Sequence, residues 1–180
     1  MTQLITYFSN LCFFRAGPQD APSSDTVLYV VGILLALCYA WSSTAYDSPF
    51  ISIVVTAIQV VIYTGVVWLL LKIRNLTERW SQTTVALLGA ALLLEVIKIP
   101  IIILVPGDDG LITGLQIKGP LMLHVILGIW YFAVMVHVFR QALDTVPFRA
   151  LAAAFFCQLF TVFLMQIVLS LLGLSVTETV

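Results

Sequence analysis

Charge is what this sequence has least of. Only 9% of its 180 residues are Asp, Glu, Lys or Arg, where a soluble domain carries about 25%. With 61% hydrophobic residues, the chain cannot cover a folded surface with polar groups, and it reads as membrane-embedded. Eight basic residues against nine acidic ones leave a formal charge of −1, which excludes a nucleic-acid footprint and a strongly acidic binding surface. Histidine is limited to His124 and His137, and cysteine to Cys12, Cys38 and Cys157. The cysteine spacings fit neither a disulfide framework nor a zinc site, so the three thiols are expected to be small buried hydrophobes. The two histidines fall on one expected helix about 20 Å apart along its axis, too far to share an ion. GxSxG, HExxH, CxxC, phosphate-loop and dinucleotide glycine patterns are missing, so no catalytic residue, metal or cofactor is expected and the chain reads as non-enzymatic.

What is present is a series of long apolar runs. A hydrocarbon core about 30 Å thick needs about 20 apolar residues in a helix, and five segments meet that length: about 27–43, 51–71, 83–105, 120–138 and 149–174. Short connections make them antiparallel neighbours. The expected fold is all-α, a five-helix transmembrane bundle forming one domain over 27–174, preceded by an interfacial helix and turn at 1–26 and followed by a short external tail at 175–180. Arg15, Lys72, Arg74, Arg79, Arg140 and Arg149 fall on one side of the spans, whereas Lys118 lies on the other beside Asp47, Asp108, Asp109 and Glu178. Cytoplasmic loops retain Lys and Arg, so the N-terminus is expected inside and the C-terminus outside. Trp41, Trp68, Trp80 and Trp130 fall mostly near the expected span ends, as belt residues do.

The N-terminal stretch is apolar but carries Arg15 after its hydrophobic residues, the reverse of a signal peptide. Leu4, Tyr7, Phe8 and Leu11 recur at helical spacing, with Phe14 and Arg15 following, which predicts a short amphipathic helix in the headgroup plane. Gly17 and Pro18 then end it, and Ser24 or Asp25 caps the first span.

Two ionisable residues lie inside a span, in LLLEVIKIP at 92–100. Glu95 and Lys98, three residues apart, share a helix face and can neutralise each other, and Pro100 frees a carbonyl in the preceding turn. At 1.5 Å per residue from the outer ends, Lys98 lies roughly 10 Å deep, Glu95 roughly 15 Å, Gln59 and Gln166 roughly 12 Å and His124 roughly 6 Å. These residues form one layer drawn from four spans, and Tyr63 and Gln158 extend it inward. The layer is either a polar network that orients the bundle or the lining of a hydrated cavity. Gly32, Ala36 and Ala40 on the first span, with Ala86, Gly89 and Ala90 on the third, are small residues that let helices approach closely. Asn75, Leu76 and Thr77 match a glycosylation acceptor, but on the inner side they read as a helix start that Glu78 closes as a capping box.

The motif FRAGPQDAP at 14–22, together with the hydropathy layout, resembles small multi-pass proteins of proteobacterial inner membranes with a Yip1-like five-span architecture. The resemblance implies a bacterial cytoplasmic membrane and no particular activity or site residue. The leading expectation is a scaffold or accessory subunit of a membrane assembly. Its partners would be the lipid bilayer and a membrane protein or a second copy. The alternative is a small transporter or channel subunit using the Glu, Lys and His layer, and an intramembrane enzyme acting on lipid comes third.

Overall fold

The computed structural model describes residues 2–42, 49–104 and 119–173. The tail at 175–180, the span ends at 43, 105 and 174, and Asp47, Asp108, Asp109, Lys118 and Glu178 lie outside the described residues. Among the described residues all regular structure is helical. Six α-helices run α1 Thr2–Cys12, α2 Asp25–Ser42, α3 Pro49–Ile73, α4 Trp80–Leu104, α5 Gly119–Ala142 and α6 Pro147–Leu171, with single 3-10 turns at Pro18–Asp20 and Thr77–Arg79. Four helical stretches are long and apolar enough to cross a membrane, Phe50–Ile73, Thr77–Pro100, Met122–Ala142 and Pro147–Leu171, and Asp25–Trp41 is a shorter apolar helix.

Local chemistry sets the helix limits. Proline opens α3 and α6, where its missing N–H costs no helical hydrogen bond. Three helices end with a residue in the left-handed region, Phe14 at φ 60°, Asn75 at 55° and Asp144 at 46°. In each case the next amide reaches back five residues: Arg15 N to Asn10 O at 2.8 Å, Leu76 N to Leu71 O at 2.9 Å and Thr145 N to Arg140 O at 3.1 Å. This is the bonding of a Schellman end. Asn75 therefore terminates α3 instead of opening α4, and the N-cap at Leu76 has no side-chain hydrogen bond. Asn and Asp tolerate this backbone, whereas a bulky residue such as Phe14 is strained by it.

The five long helices close into a ring. Helix α2 packs on α3 and α4, α3 on α6, α6 on α5, and α5 on α4. One end of the ring carries the basic residues of the α3–α4 and α5–α6 connections, and there the interior is solid. Val67, Leu71, Val85, Leu87, Met135, Val138, Phe139, Ala150, Ala154 and Cys157 are all fully buried. Near this end α3 and α4 also meet directly, the Trp80 indole N–H donating to Thr64 O at 3.2 Å. The other half of the ring is not filled in this way and holds the site described below.

Small residues sit at the close contacts. Gly32 faces Val60 and Leu88. The Ala36 carbonyl lies 3.1 Å from the Thr56 hydroxyl, which is also 2.8 Å from Ser52 O, so α2 and α3 meet backbone to side chain. Ala86 and Ala90 are fully buried, whereas Ala40 is half-buried. Gly89 receives a side chain from outside the ring: a Cβ there would fall within the ring of Phe8.

That contact gives α1 its position. Phe8 and Leu11 are buried, Leu4 and Tyr7 are half-buried, and α1 touches α4 and α5. The apolar stripe that spacing alone assigns to lipid headgroups is thus turned onto protein. Trp130, at the middle of α5 instead of a span end, donates its indole N–H to Cys12 O at 3.1 Å. The Phe14 ring lies 5.3 Å from the His137 ring and 6.0 Å from that of Trp130, contacts that hold its strained backbone, while Arg15 is exposed. His137 Nε2 is 3.1 Å from Ala16 O, and the Tyr7 hydroxyl donates to Gly17 O at 2.9 Å. His137 therefore anchors the N-terminal segment.

Candidate functional site

The unfilled half of the ring contains a cavity of about 610 Å³ lined by all five long helices. Its floor is a hydroxyl chain. Tyr131 donates to Leu87 O at 3.5 Å, which leaves its oxygen to accept from Tyr63 at 2.9 Å, so α3, α5 and α4 are linked across the ring. From Leu88 near that floor to Lys98, the lining climbs α4 by ten residues, about 15 Å.

Gln59, Glu95, Lys98, His124 and Gln166 all line this one cavity, as do Tyr63 and Gln158. Lys98 and Glu95 form an ion pair in which the side chains are 14% and 4% exposed. Such a pair inside a helical ring must be mutual, because either charge alone would be costly there. Around it stand apolar residues, Leu35, Val55, Val60, Leu94, Leu127 and Leu169 among them. Polar and apolar side chains share the wall about equally, and an open cavity of several hundred Å³ lined by both has room for a small molecule.

Tyr39, Thr56, Tyr131 and Thr161 also line the cavity, and depth arithmetic on charged and amide residues passes over them. A signal for them was present. Tyrosine belongs at the membrane interface, and Tyr131 stands mid-helix, where its hydroxyl needs a protein partner.

A second cavity, of about 590 Å³, lies at the basic end where the 3-10 turn at Pro18–Asp20 meets α4 and α5. It is lined by Gln19, Arg79, Gln82, Thr83, Gln141 and Asp144, and Arg79 donates to Ala142 O at 3.2 Å. It forms because the N-terminal segment folds back under the ring, which no local pattern announces.

Outside the long helices, burial pushes the Cys12 thiol up to about 11, and burial followed by the nearby Asp20 carboxylate pushes the Tyr7 phenol up. Both groups are neutral at physiological pH and serve as packing and hydrogen-bonding groups. Among the described residues no three His, Cys, Asp or Glu side chains converge as a metal site would require. No protein-family model, curated protein or solved structure matches the chain.

Proposed function

We propose that the chain is a multi-pass membrane protein that binds a small solute between its helices, as a compact transporter or channel subunit. The observation that carries this reading is the convergence of polar side chains on one cavity lined by all five long helices. A network whose only task was to orient the bundle would pack its polar groups against one another and leave no space of this size. The sequence alone puts a scaffold first, because loops are short and no chemical constellation is visible; the cavity supports the transporter reading. In this reading all five long helices cross a bacterial inner membrane, with the N-terminus cytoplasmic and the C-terminus periplasmic. Helix α1 is an amphipathic element docked on the bundle, and the chain acts without chemistry of its own.

The test is the double substitution Glu95→Leu with Lys98→Leu, which removes both charges together and leaves no unpaired ion. Expressed in a host deleted for the native gene, the variant should reach normal membrane levels yet fail to restore the host phenotype. Full restoration would make the pair structural and return the scaffold to first place.

A further inference from the structure

The chemistry of the cavity wall narrows the ligand, and the narrowing rests on the solute-binding reading above. Among the described residues Lys98 is the one lysine or arginine on the wall. Its ammonium has three N–H donors, and the Glu95 carboxylate engages it from one side. Gln59 and Gln166, from α3 and α6, bring amide donors to the same cavity. The rest of the wall mixes aliphatic residues such as Leu35, Val55, Leu94 and Leu169 with the rings of Tyr39, Tyr63 and Tyr131. A ligand matching these features has one anionic head with two acceptor oxygens and an apolar body.

Charge balance then dictates a second event. The ion pair is neutral before binding. An incoming carboxylate that seats on Lys98 makes three charges of net −1 in a low-dielectric space, and a charge left there without a partner is costly. Neutrality is restored if one carboxyl group is protonated. The ligand holds the cation, so the group displaced from it is Glu95, which is 3% exposed. The other ionisable groups near Glu95 are Cys38 and Tyr39 on α2, while Tyr63 on α3 and His124 and Tyr131 on α5 line the same cavity; among the described residues α6 brings no ionisable side chain to the wall.

We propose that the cavity takes a monocarboxylate with an apolar body, seated on the Lys98 ammonium, and that its binding is coupled to uptake of one proton by Glu95. The proton comes from the aqueous phase and adds to a Glu95 carboxylate oxygen as that oxygen leaves Lys98. The filled cavity is again neutral, and carboxylate and proton enter together.

The full-length protein in lipid nanodiscs, titrated with octanoate, octanol and octylammonium, tests this. Calorimetry in two buffers of different ionisation enthalpy counts protons. Infrared difference spectra with unlabelled and carboxyl-¹³C octanoate show which carboxyl group is protonated. The expected result is binding of octanoate over the other two probes, uptake of one proton, and a protonated-carboxyl band that does not move with the ¹³C label. Affinity should then weaken about tenfold per pH unit above neutrality, one proton being linked to each ligand. The readouts need only the wild-type chain, so no variant has to fold. Binding of octanol or octylammonium in place of octanoate would overturn the carboxylate proposal while leaving a solute site standing. A band that moves with the label would mean that the acid enters already protonated, and proton uptake with no such band would assign the proton to His124; either overturns the role of Glu95. No binding of any probe by folded protein would overturn both this proposal and the solute-binding reading.

Discussion

At position 89, α4 has no side chain, and the ring of Phe8 occupies the space that a Cβ would take. Two effects of opposite sign therefore meet in Gly89→Ala. Alanine is the better helix former by about 1 kcal/mol, but forcing an extra carbon into a filled contact costs about 1–3 kcal/mol. The clash is expected to win, and Gly89→Ala should lower stability in detergent unfolding. In a Phe8→Ala background the ring is gone, only the propensity term is left, and the same substitution should be neutral or stabilising. A sign that does not change between the two backgrounds would show that Phe8 does not seat on Gly89. Lys98 and Glu95 differ from this pair in what sequence can say about them. Their spacing of three residues on one helix was enough to pair them, whereas Phe8 and Gly89 are eighty-one positions apart and no local rule joins them.

Helix α1 extends that argument to an element. Its contacts with α4 and α5 bury Cys12, whose thiol is pushed up to about 11 from an ordinary value of 9.0 by loss of solvation. A thiol that titrates higher when docked keeps its full contribution to docking below about pH 9 and loses it as pH rises towards 11. Raising pH through that window should loosen α1 and change the surroundings of Trp130, which gives its N–H to Cys12 O. Cys12 alkylation and tryptophan emission should change together; alkylation that simply tracked thiolate formation, with emission constant, would show that α1 stays in place. Four of the five long helices were legible from apolar length, because a bilayer sets a minimum that few other structures meet, and α2 is shorter than that minimum. Their limits moved by a few residues where caps decided them, as at Asn75. Rise per residue grouped Gln59, Glu95, Lys98, His124 and Gln166, and these five line one cavity. Which way each side chain points was not legible, because helices apolar on every side carry no stripe to orient them. The pairing of α2 with α4 and the inward turn of the α1 stripe belong to the same class. Both are set by tertiary contacts between helices whose surfaces look alike in sequence.

For the whole molecule, α2 decides how many helices cross. Its 18 residues span about 27 Å at 1.5 Å per residue, slightly less than a hydrocarbon core of about 30 Å, a mismatch that local thinning absorbs at modest cost. Helix α2 also packs on both α3 and α4, so removing it from the bilayer would open the ring and expose the cavity wall at Leu35 and Tyr39 to lipid headgroups. Charge points the same way. Lys72, Arg74 and Arg79 lie on the connection from α3 to α4, Arg140 and Arg149 flank that from α5 to α6, and Arg15 precedes α2. With α2 as a crossing, all six fall on one face of the membrane, as the retention of cations in the cytoplasm requires; with α2 outside the membrane, Arg15 changes sides. The expected topology is therefore five crossings. A reporter joined to the C-terminus should be active only outside the cytoplasm, one inserted at 74–79 only inside it, and one at the N-terminus only inside. Both termini reporting from the same side would mean an even number of crossings, and the closed ring of helices would then not be the arrangement adopted in the bilayer.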